Sequence, residues 1–210
     1  MSAGRDVHVV LIRHAPTRGN LGGRYIGATD EGLGDQGREL ARKARGTYAR
    51  RKPQALFTSG MRRCDETAAI VFPGLPAVHV AGLCEMRFGA FEGKTFAELS
   101  GDARYQAWVD AGCATACPGG EGQADFVARV REAFEKTLDR CAAEQIRDAT
   151  LIVHAGTIMA AMSELARPRK AYWDWKTPYC SGFAARAHKA ENGWQLMDVE
   201  PLATHASYIE

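Results

Sequence analysis

Two histidines each follow a short apolar segment and precede small residues, one near each end of the chain. His14 follows Arg13 and the apolar run 9–12, and His154 follows the apolar run 150–153. A neutral imidazole is a competent nucleophile toward phosphorus, and a guanidinium offers planar donors that match phosphate oxygens. These residue types therefore suggest phosphoryl-transfer chemistry.

A third apolar run, 55–58, precedes the arginine pair Arg62 and Arg63. The carboxyl ends of parallel strands lie along one edge of a sheet, where open α/β sheets bind their ligands. The pattern therefore predicts that at least one of these arginines meets Arg13 and both histidines at a single site. Glu85, which follows the next short strand, is a further candidate for that site.

Two other interpretations of the histidines have to be weighed. A lone histidine at a strand end is usually a structural residue, and this interpretation is assigned to His8, His79, His188 and His205. A zinc site is the second alternative, but a neighbouring guanidinium opposes a dication, and the HxH and HExxH spacings are absent from the motifs. The six cysteines also lack paired zinc-site spacing, so we expect reduced thiols and no metal.

The elements that position these residues alternate between strand and helix. Apolar runs predict strands at 9–12, 55–58, 77–80 and 150–153. Apolar residues at three- and four-residue spacing predict helices at 35–51, 62–71, 105–111, 123–144 and 158–166. The Gly-rich passage 19–34 predicts a loop, and 182–188 with 194–199 predict a hairpin. This alternation is typical of parallel βαβ units and predicts an α/β fold.

Composition limits the classes of protein to consider. A chain of 210 residues with 46% apolar and 25% charged residues is expected to form a single domain over 1–210. A net charge of +2 without a long basic run argues against a nucleic-acid partner. The sequence shows neither a signal-peptide pattern nor the roughly 20-residue apolar stretch of a transmembrane helix. We therefore expect a cytoplasmic protein with no membrane partner.

Five separated motifs resemble those of the histidine phosphatase (phosphoglycerate mutase-like) superfamily. The string RHAPTRGN at 13–20 is similar to its RHGxTxxN motif and departs at Ala15, where glycine is usual. The other segments are GATDEGLGDQG at 27–37, SGMRRCDETA at 59–68, LCEMRFGAFEG at 83–93 and HAG at 154–156. They follow the family's order along almost the whole chain.

The resemblance implies a three-layer α/β/α sandwich with a mostly parallel central sheet and a small helical lid at 94–122. It implies that His14 attacks phosphorus to form a phosphohistidine and that Glu85 is the general acid and then the base. It selects Arg63 over Arg62 and requires no metal or organic cofactor. The implied catalytic residues are His14, Glu85, His154, Arg13 and Arg63, and the implied substrate-binding residues are Asn20, Thr17, Arg13, Arg63 and Thr157.

The length of the lid segment bears on the reaction. Mutases of this superfamily carry a longer insertion after the EG motif, whereas here 24 residues separate Gly93 from Pro118. A shorter lid favours hydrolysis, because an open phosphoenzyme loses its phosphoryl group to water. The expected function is therefore hydrolysis of small phosphomonoesters. A phosphoglycerate mutase and a non-catalytic phosphate-binding protein are the alternatives.

The stretch PGGEG at 118–122 resembles the α-ribazole phosphatase branch, which also includes broad-specificity enzymes. We therefore expect a small phosphorylated metabolite as the partner, with α-ribazole 5'-phosphate as one candidate. Residues expected to set specificity are Tyr25, Arg87, Arg104 and Trp108. The aromatic cluster 172–175 either packs under the C-terminal hairpin or forms an interface between two copies, which would give a homodimer.

Overall fold

The computed structural model describes residues 6–202, so His205 lies outside the described residues. Its strands are β1 Val7–Arg13, β2 Ala55–Thr58, β3 Ala77–His79, β4 Asp148–Val153, β5 Gly182–Ala190 and β6 Gly193–Pro201. They form one sheet in the order β3-β2-β4-β1-β5-β6. The pairs β3–β2, β2–β4 and β4–β1 are parallel, whereas β1–β5 and β5–β6 are antiparallel. The strands expected to carry the site are therefore neighbours that share one edge.

The α-helices are α1 Arg18–Leu21, α2 Asp35–Tyr48, α3 Arg62–Val71, α4 Phe96–Leu99, α5 Ala103–Asp110, α6 Gln123–Ala143 and α7 Ala155–Leu165. The predicted bounds of β2 and α3 agree with the observed ones. Three of the four residues of α1 lie in the passage 19–34, which was predicted to be a loop. Helix α1 forms because Thr17 and Asn20 make a capping box, in which each side chain accepts a hydrogen bond from the other residue's backbone N–H.

The side chains of β1 alternate between two apolar layers. Val9 and Leu11 belong to the same buried cluster as residues of α6 and α7, whereas Val10 and Ile12 belong to the cluster that includes residues of α2 and α3. A strand covered on both faces has no solvated side, which explains its continuous apolar sequence. The predicted three-layer α/β/α sandwich with a mostly parallel sheet is confirmed.

A third apolar cluster occupies the lid segment between β3 and α6. It comprises Phe91, Leu99, Tyr105, Trp108 and Cys117, with Tyr25 and Phe88 packed against it. Because Phe88 also packs against the α6–α7 cluster, the lid is connected to the main core. Two of the residues expected to set specificity, Trp108 and Tyr25, therefore also belong to the apolar packing of the lid.

The aromatic cluster 172–175 divides between core and surface. Trp175 is buried and packs edge-on against Phe183 of β5, with the ring centroids 5.2 Å apart, whereas Trp173 is exposed. Tyr172 is partly buried against the same core cluster as Trp175, so the core interpretation holds for these two residues and not for Trp173. All six cysteines lie within the described residues, and none is in a disulfide. None of the helices within residues 6–202 combines the length and apolar character needed to cross a bilayer.

Candidate active site

His14 lies directly after β1 and is buried. Its backbone N–H donates to the carbonyl of Val153 at 2.9 Å, so the pairing of β1 with β4 continues up to it. Its side-chain Nδ1 lies 2.7 Å from the carbonyl oxygen of Ala15. Because a carbonyl only accepts, Nδ1 carries the proton and Nε2 keeps its lone pair. His14 therefore has the tautomer that a nucleophilic Nε2 requires.

The charge state of His14 follows from its surroundings. Burial, together with the guanidiniums of Arg63 and Arg13, holds the pKa of His14 well below its ordinary value. Burial and the same arginines also lower the pKa of His154, whose ring lies edge-on to His14 with the centroids 5.1 Å apart. Both imidazoles are therefore neutral near pH 7, which is the form that can attack phosphorus.

Arg63 is buried in the first turn of α3, whereas Arg62 beside it is exposed. The Arg63 Nη1 donates to the carbonyl of Thr29 and its Nη2 to that of Gly27, each at 2.8 Å. Its Nε donates to Nδ1 of His154 at 3.2 Å. A guanidinium has five N–H donors, so one hydrogen remains on each terminal nitrogen for an anion. The geometry thus favours Arg63 as the pocket arginine.

His154 lies at the end of β4 as the N-cap of α7. Since its Nδ1 accepts from Arg63, its proton is on Nε2, which donates to Oγ of Ser59 at 2.9 Å. Both ring nitrogens are therefore engaged by protein groups. The resemblance made His154 a catalytic residue, and in the structure its ring holds the Arg63 guanidinium next to His14.

The loop that anchors Arg63 is itself held by Glu92. One Glu92 oxygen accepts from the backbone N–H of Ala28 at 2.7 Å, and the other accepts from the N–H of Gly27 at 3.1 Å and the hydroxyl of Thr29 at 2.9 Å. The carbonyls of Gly27 and Thr29 are the ones that accept from Arg63. Glu92 of the EG motif therefore fixes the backbone that positions Arg63, a role that the sequence pattern did not indicate.

Arg13 is the last residue of β1 and is half-buried. Its Nη1 donates to the carbonyl of Thr177 at 2.9 Å, and its guanidinium carbon lies 3.5 Å from the centroid of the Tyr179 ring. Within residues 6–202, its buried Nε has no hydrogen-bond partner. Arg13 therefore retains donors for a phosphate. Tyr179 was missed by the sequence analysis because it belongs to no motif; its place just before β5, the neighbour of β1, was the available signal.

Glu85 is held by backbone donors from two segments. Its Oε1 accepts from the N–H of Met86 at 3.0 Å and its Oε2 from the N–H of Gly156 at 3.1 Å. Burial raises the pKa of Glu85, although these N–H groups and the guanidiniums of Arg63 and Arg13 act in the opposite direction. A carboxyl group with a raised pKa is suited to donate a proton to a leaving alkoxide.

The backbone next to Glu85 is fixed by a partly buried ion pair. Arg129 of α6 donates to both carboxylate oxygens of Glu121, at 2.9 and 2.8 Å. It also donates to the carbonyls of Gly82 and Cys84, at 2.8 and 3.1 Å. These bonds join α6 and the PGGE segment to the chain that directly precedes Glu85. The pair thus gives Glu85 a rigid support.

Gly156 lies so close to Glu85 that a Cβ at this position would overlap Oε1. We expect Gly156→Ala to displace the carboxyl group and to lower kcat for an alkyl phosphate about 10- to 100-fold, because misplacement by about 1 Å costs that much. Steady-state kinetics measure the effect. Gly46→Ala in α2 is the matched control, since a Cβ there meets nothing within 4 Å. Unchanged kinetics in Gly156→Ala would contradict the role given to Glu85.

Two of the expected substrate-binding residues use their hydroxyl groups to bond other parts of the protein. Thr17 is buried, and its hydroxyl donates to Glu31 at 2.7 Å. Thr157 is also buried, and its hydroxyl donates to the carbonyl of Leu83 at 3.1 Å. The structure therefore does not support substrate binding by either threonine. The Oδ1 of Asn20 accepts from the Thr17 N–H at 3.2 Å. Its side-chain NH₂ group carries two further N–H donors.

The residues expected to set specificity differ in their surroundings. Trp108 is buried in the lid cluster and donates to the carbonyl of Thr115 at 3.1 Å. Tyr25 shares a hydrogen bond of 2.7 Å with Tyr105. Arg87 is exposed beside Glu85 and lines the same shallow cavity, of about 290 Å³. Trp108 and Tyr25 therefore stabilise the lid, whereas Arg87 is exposed to solvent at the cavity.

The remaining expected pocket residue, Arg104, lies outside the buried part of the lid. It is exposed and pairs with Asp102 at 2.6 Å, so its guanidinium is committed at the start of α5. Among residues 6–202, no group of three or more His, Cys, Asp or Glu side chains is arranged to hold a metal ion.

The fold and this set of side chains define a protein of a known class. The family model of the histidine phosphatase superfamily (branch 1) matches residues 9–199. The chain therefore belongs to this superfamily, as its motifs predicted. The expected enzyme class, a phosphoric monoester hydrolase, agrees with the family and with the names of its relatives.

Three comparisons show the range of these relatives. The chain is 33% identical, over 75% of its length and 73% of the relative, to glucosyl-3-phosphoglycerate phosphatase from Mycolicibacterium vanbaalenii. It is similar to the structure of a mycobacterial glucosyl-3-phosphoglycerate phosphatase, with TM-score 0.76, 26% identity and coverage of 95% and 100% of the two chains. The α-ribazole phosphatase of Shigella flexneri, with TM-score 0.78, 23% identity and coverage of 97% and 100%, shares the fold.

Proposed function

We propose that the protein is a cofactor-independent phosphatase that hydrolyses small phosphomonoesters through a phosphohistidine at His14. The observation that supports this most is the fixed tautomer of His14, since the Ala15 carbonyl holds the proton on Nδ1 and leaves Nε2 with a lone pair. The pKa of the ring is lowered by burial and by Arg63 and Arg13, which also supply positive charge for the phosphoryl oxygens.

In the first step, Nε2 of His14 bonds to phosphorus while the ester P–O bond breaks. Glu85 gives its proton to the leaving alkoxide, so the alcohol departs neutral. Phosphorylation makes the ring cationic, and the Nδ1–H bond to the Ala15 carbonyl strengthens as that charge develops. Arg13 and Arg63 stabilise the equatorial oxygens of the phosphoryl group in the transition state.

In the second step, the Glu85 carboxylate takes a proton from water as the water oxygen bonds to phosphorus. The N–P bond breaks, His14 regains its lone pair, and phosphate leaves. Glu85 is then protonated again, so the cycle is balanced without an added acid, base or metal ion.

For the substrate, we favour a phosphoglycerate-type ester such as glucosyl-3-phosphoglycerate over α-ribazole 5'-phosphate. The glucosyl-3-phosphoglycerate phosphatase from Mycolicibacterium vanbaalenii is 33% identical to this chain over the aligned residues. The similarity to the α-ribazole phosphatase, at 23% identity, supports the fold alone. Arg87, which is exposed beside Glu85, is positioned to meet a carboxylate on the leaving group.

A phosphate-release panel tests this function. Purified protein is given glucosyl-3-phosphoglycerate, α-ribazole 5'-phosphate, 3-phosphoglycerate, sugar phosphates and nucleotides, and the highest kcat/KM is expected for glucosyl-3-phosphoglycerate. Transfer of phosphate between positions of phosphoglycerate, without release, would instead identify a mutase. Phosphate binding without release from any ester would identify a non-catalytic phosphate-binding protein.

The value of kcat should fall both at low pH and at high pH. The pKa of His14 is lowered, so loss of kcat by its protonation is expected only below the ordinary value of about 6.5. The pKa of Glu85 is raised, so kcat for an alkyl phosphate should fall as this group deprotonates above the ordinary carboxyl value of about 4.3. The measurement is kcat against pH for wild type and Glu85→Gln on one substrate. An alkaline limb of equal size in both proteins would contradict the role of Glu85.

A further inference from the structure

The segment 177–181 runs beside the end of β1 and encloses Arg13. The Arg13 N–H donates to the carbonyl of Ser181 at 2.8 Å, and the Cys180 N–H donates to the carbonyl of Arg13 at 2.9 Å. The carbonyl of Thr177 accepts from Nη1 of the same arginine. Both the backbone and the side chain of Arg13 are therefore held by one short piece of chain.

Tyr179 lies in the middle of this segment with its ring over the Arg13 guanidinium. The Cζ of Arg13 lies 3.5 Å from the ring centroid, and the His14 ring centroid lies 6.0 Å from it. The N–H donors of a guanidinium lie in its own plane, so an aromatic ring that stacks on its face does not block them. The ring thus covers one face of the Arg13 guanidinium.

The backbone at this point is also unusual. Cys180, directly after Tyr179, has φ of +54° although it is not glycine, and its side chain is buried. A left-handed conformation at a non-glycine residue costs free energy, and such residues are frequent at functional sites. This residue lies between Tyr179, which contacts Arg13, and the start of β5 at Gly182.

We propose that Tyr179 is a positioning residue that holds the plane of the Arg13 guanidinium for binding of the transferred phosphoryl group. The inference rests on the proposed function, because it assigns Arg13 to phosphate binding. The Thr177 carbonyl fixes one edge of the guanidinium and the Tyr179 ring lies against its face, so its orientation is set by these two contacts while further N–H donors remain for the phosphoryl group.

The aromatic face, and not the hydroxyl, carries this role. Tyr179→Phe keeps the stack and removes the hydroxyl, whereas Tyr179→Leu removes the stack and keeps an apolar side chain. We expect Tyr179→Phe to bind inorganic phosphate within about twofold of wild type and Tyr179→Leu to bind it about tenfold more weakly, in line with the strength of a partly buried cation–π contact.

The test is a double-mutant cycle with Arg13→Gln, measured by calorimetric titration of inorganic phosphate. If Tyr179 acts through Arg13, Tyr179→Leu should have little further effect in the Arg13→Gln background. Equal losses in both backgrounds would show a merely structural role and overturn the proposal, as would phosphate binding by Tyr179→Leu equal to that of wild type. Thermal unfolding is measured for every variant, and Tyr179→Met replaces Tyr179→Leu if the latter does not fold.

Phosphate binding requires no turnover, so this cycle and the proposed function fail in different ways. A coupled Tyr179–Arg13 pair in a protein that releases phosphate from no ester would support the positioning role and contradict the phosphatase. An active phosphatase in which the losses of phosphate binding by Tyr179→Leu and Arg13→Gln are additive would support the phosphatase and contradict the positioning role. Absence of phosphate binding by the wild-type protein would overturn the positioning role outright.

Discussion

Replacing His14 with alanine is expected to lower the phosphatase activity by roughly 10⁴-fold or more, the scale on which removal of a covalent nucleophile acts. His14 is the buried imidazole whose Nδ1–H is held by Ala15 and whose Nε2 lone pair is available. Alanine keeps the backbone pairing of residue 14 with Val153, which does not involve the side chain. The measurement is kcat/KM with p-nitrophenyl phosphate.

His79→Ala is the matched control for this experiment. His79 is exposed at the end of β3 and pairs with Asp65 at 3.2 Å, so its loss is expected to leave the kinetics close to wild type. Phosphate binding should survive in His14→Ala, because Arg13 and Arg63 remain. Residual activity within tenfold of wild type would mean that another group attacks phosphorus.

Replacing Glu85 with glutamine should have the second largest effect, and its size should depend on the leaving group. For an alkyl phosphate we expect kcat to fall by roughly 10²- to 10⁴-fold, the range of general acid catalysis. For p-nitrophenyl phosphate the loss should be much smaller, because p-nitrophenolate leaves without a proton. The two substrates are compared by their kcat ratios between wild type and variant.

Glu132→Gln provides the control for removal of a carboxylate. Glu132 lies on the exposed side of α6 and pairs with Lys136 at 2.6 Å, away from the site. It should change neither substrate's kcat. Equal losses on both substrates in Glu85→Gln would contradict proton donation to the leaving group and point to a purely structural effect on the pocket.

Much of the fold could be predicted because the strands are buried on both faces. The apolar runs at 55–58 and 150–153 mark β2 and β4 directly, since a parallel strand covered by helices has no polar side. The proximity of His14, His154 and Arg63 could be predicted as well, because β1, β4 and β2 are parallel and end at the same edge of the sheet. Topology alone therefore brought these side chains together.

The orientation of individual side chains could not be predicted in this way. Thr17 and Thr157 lie in motifs near the site, but their hydroxyls satisfy Glu31 and the Leu83 carbonyl. Tyr179 contacts Arg13 across 166 positions of sequence, and no periodicity encodes that contact. This contact depends on where the segment before β5 packs against the end of β1, and tertiary packing determines that position.

The central claim is that phosphate passes through His14, and trapping the intermediate tests it most directly. Wild-type protein is mixed with a ³²P-labelled phosphomonoester, quenched within milliseconds in alkali and digested with a protease. We predict label on the peptide that contains His14, stable to alkali and lost in acid, and no such label in His14→Ala. Label on a different residue, or wild-type turnover with no labelled protein at any time point, would contradict the account.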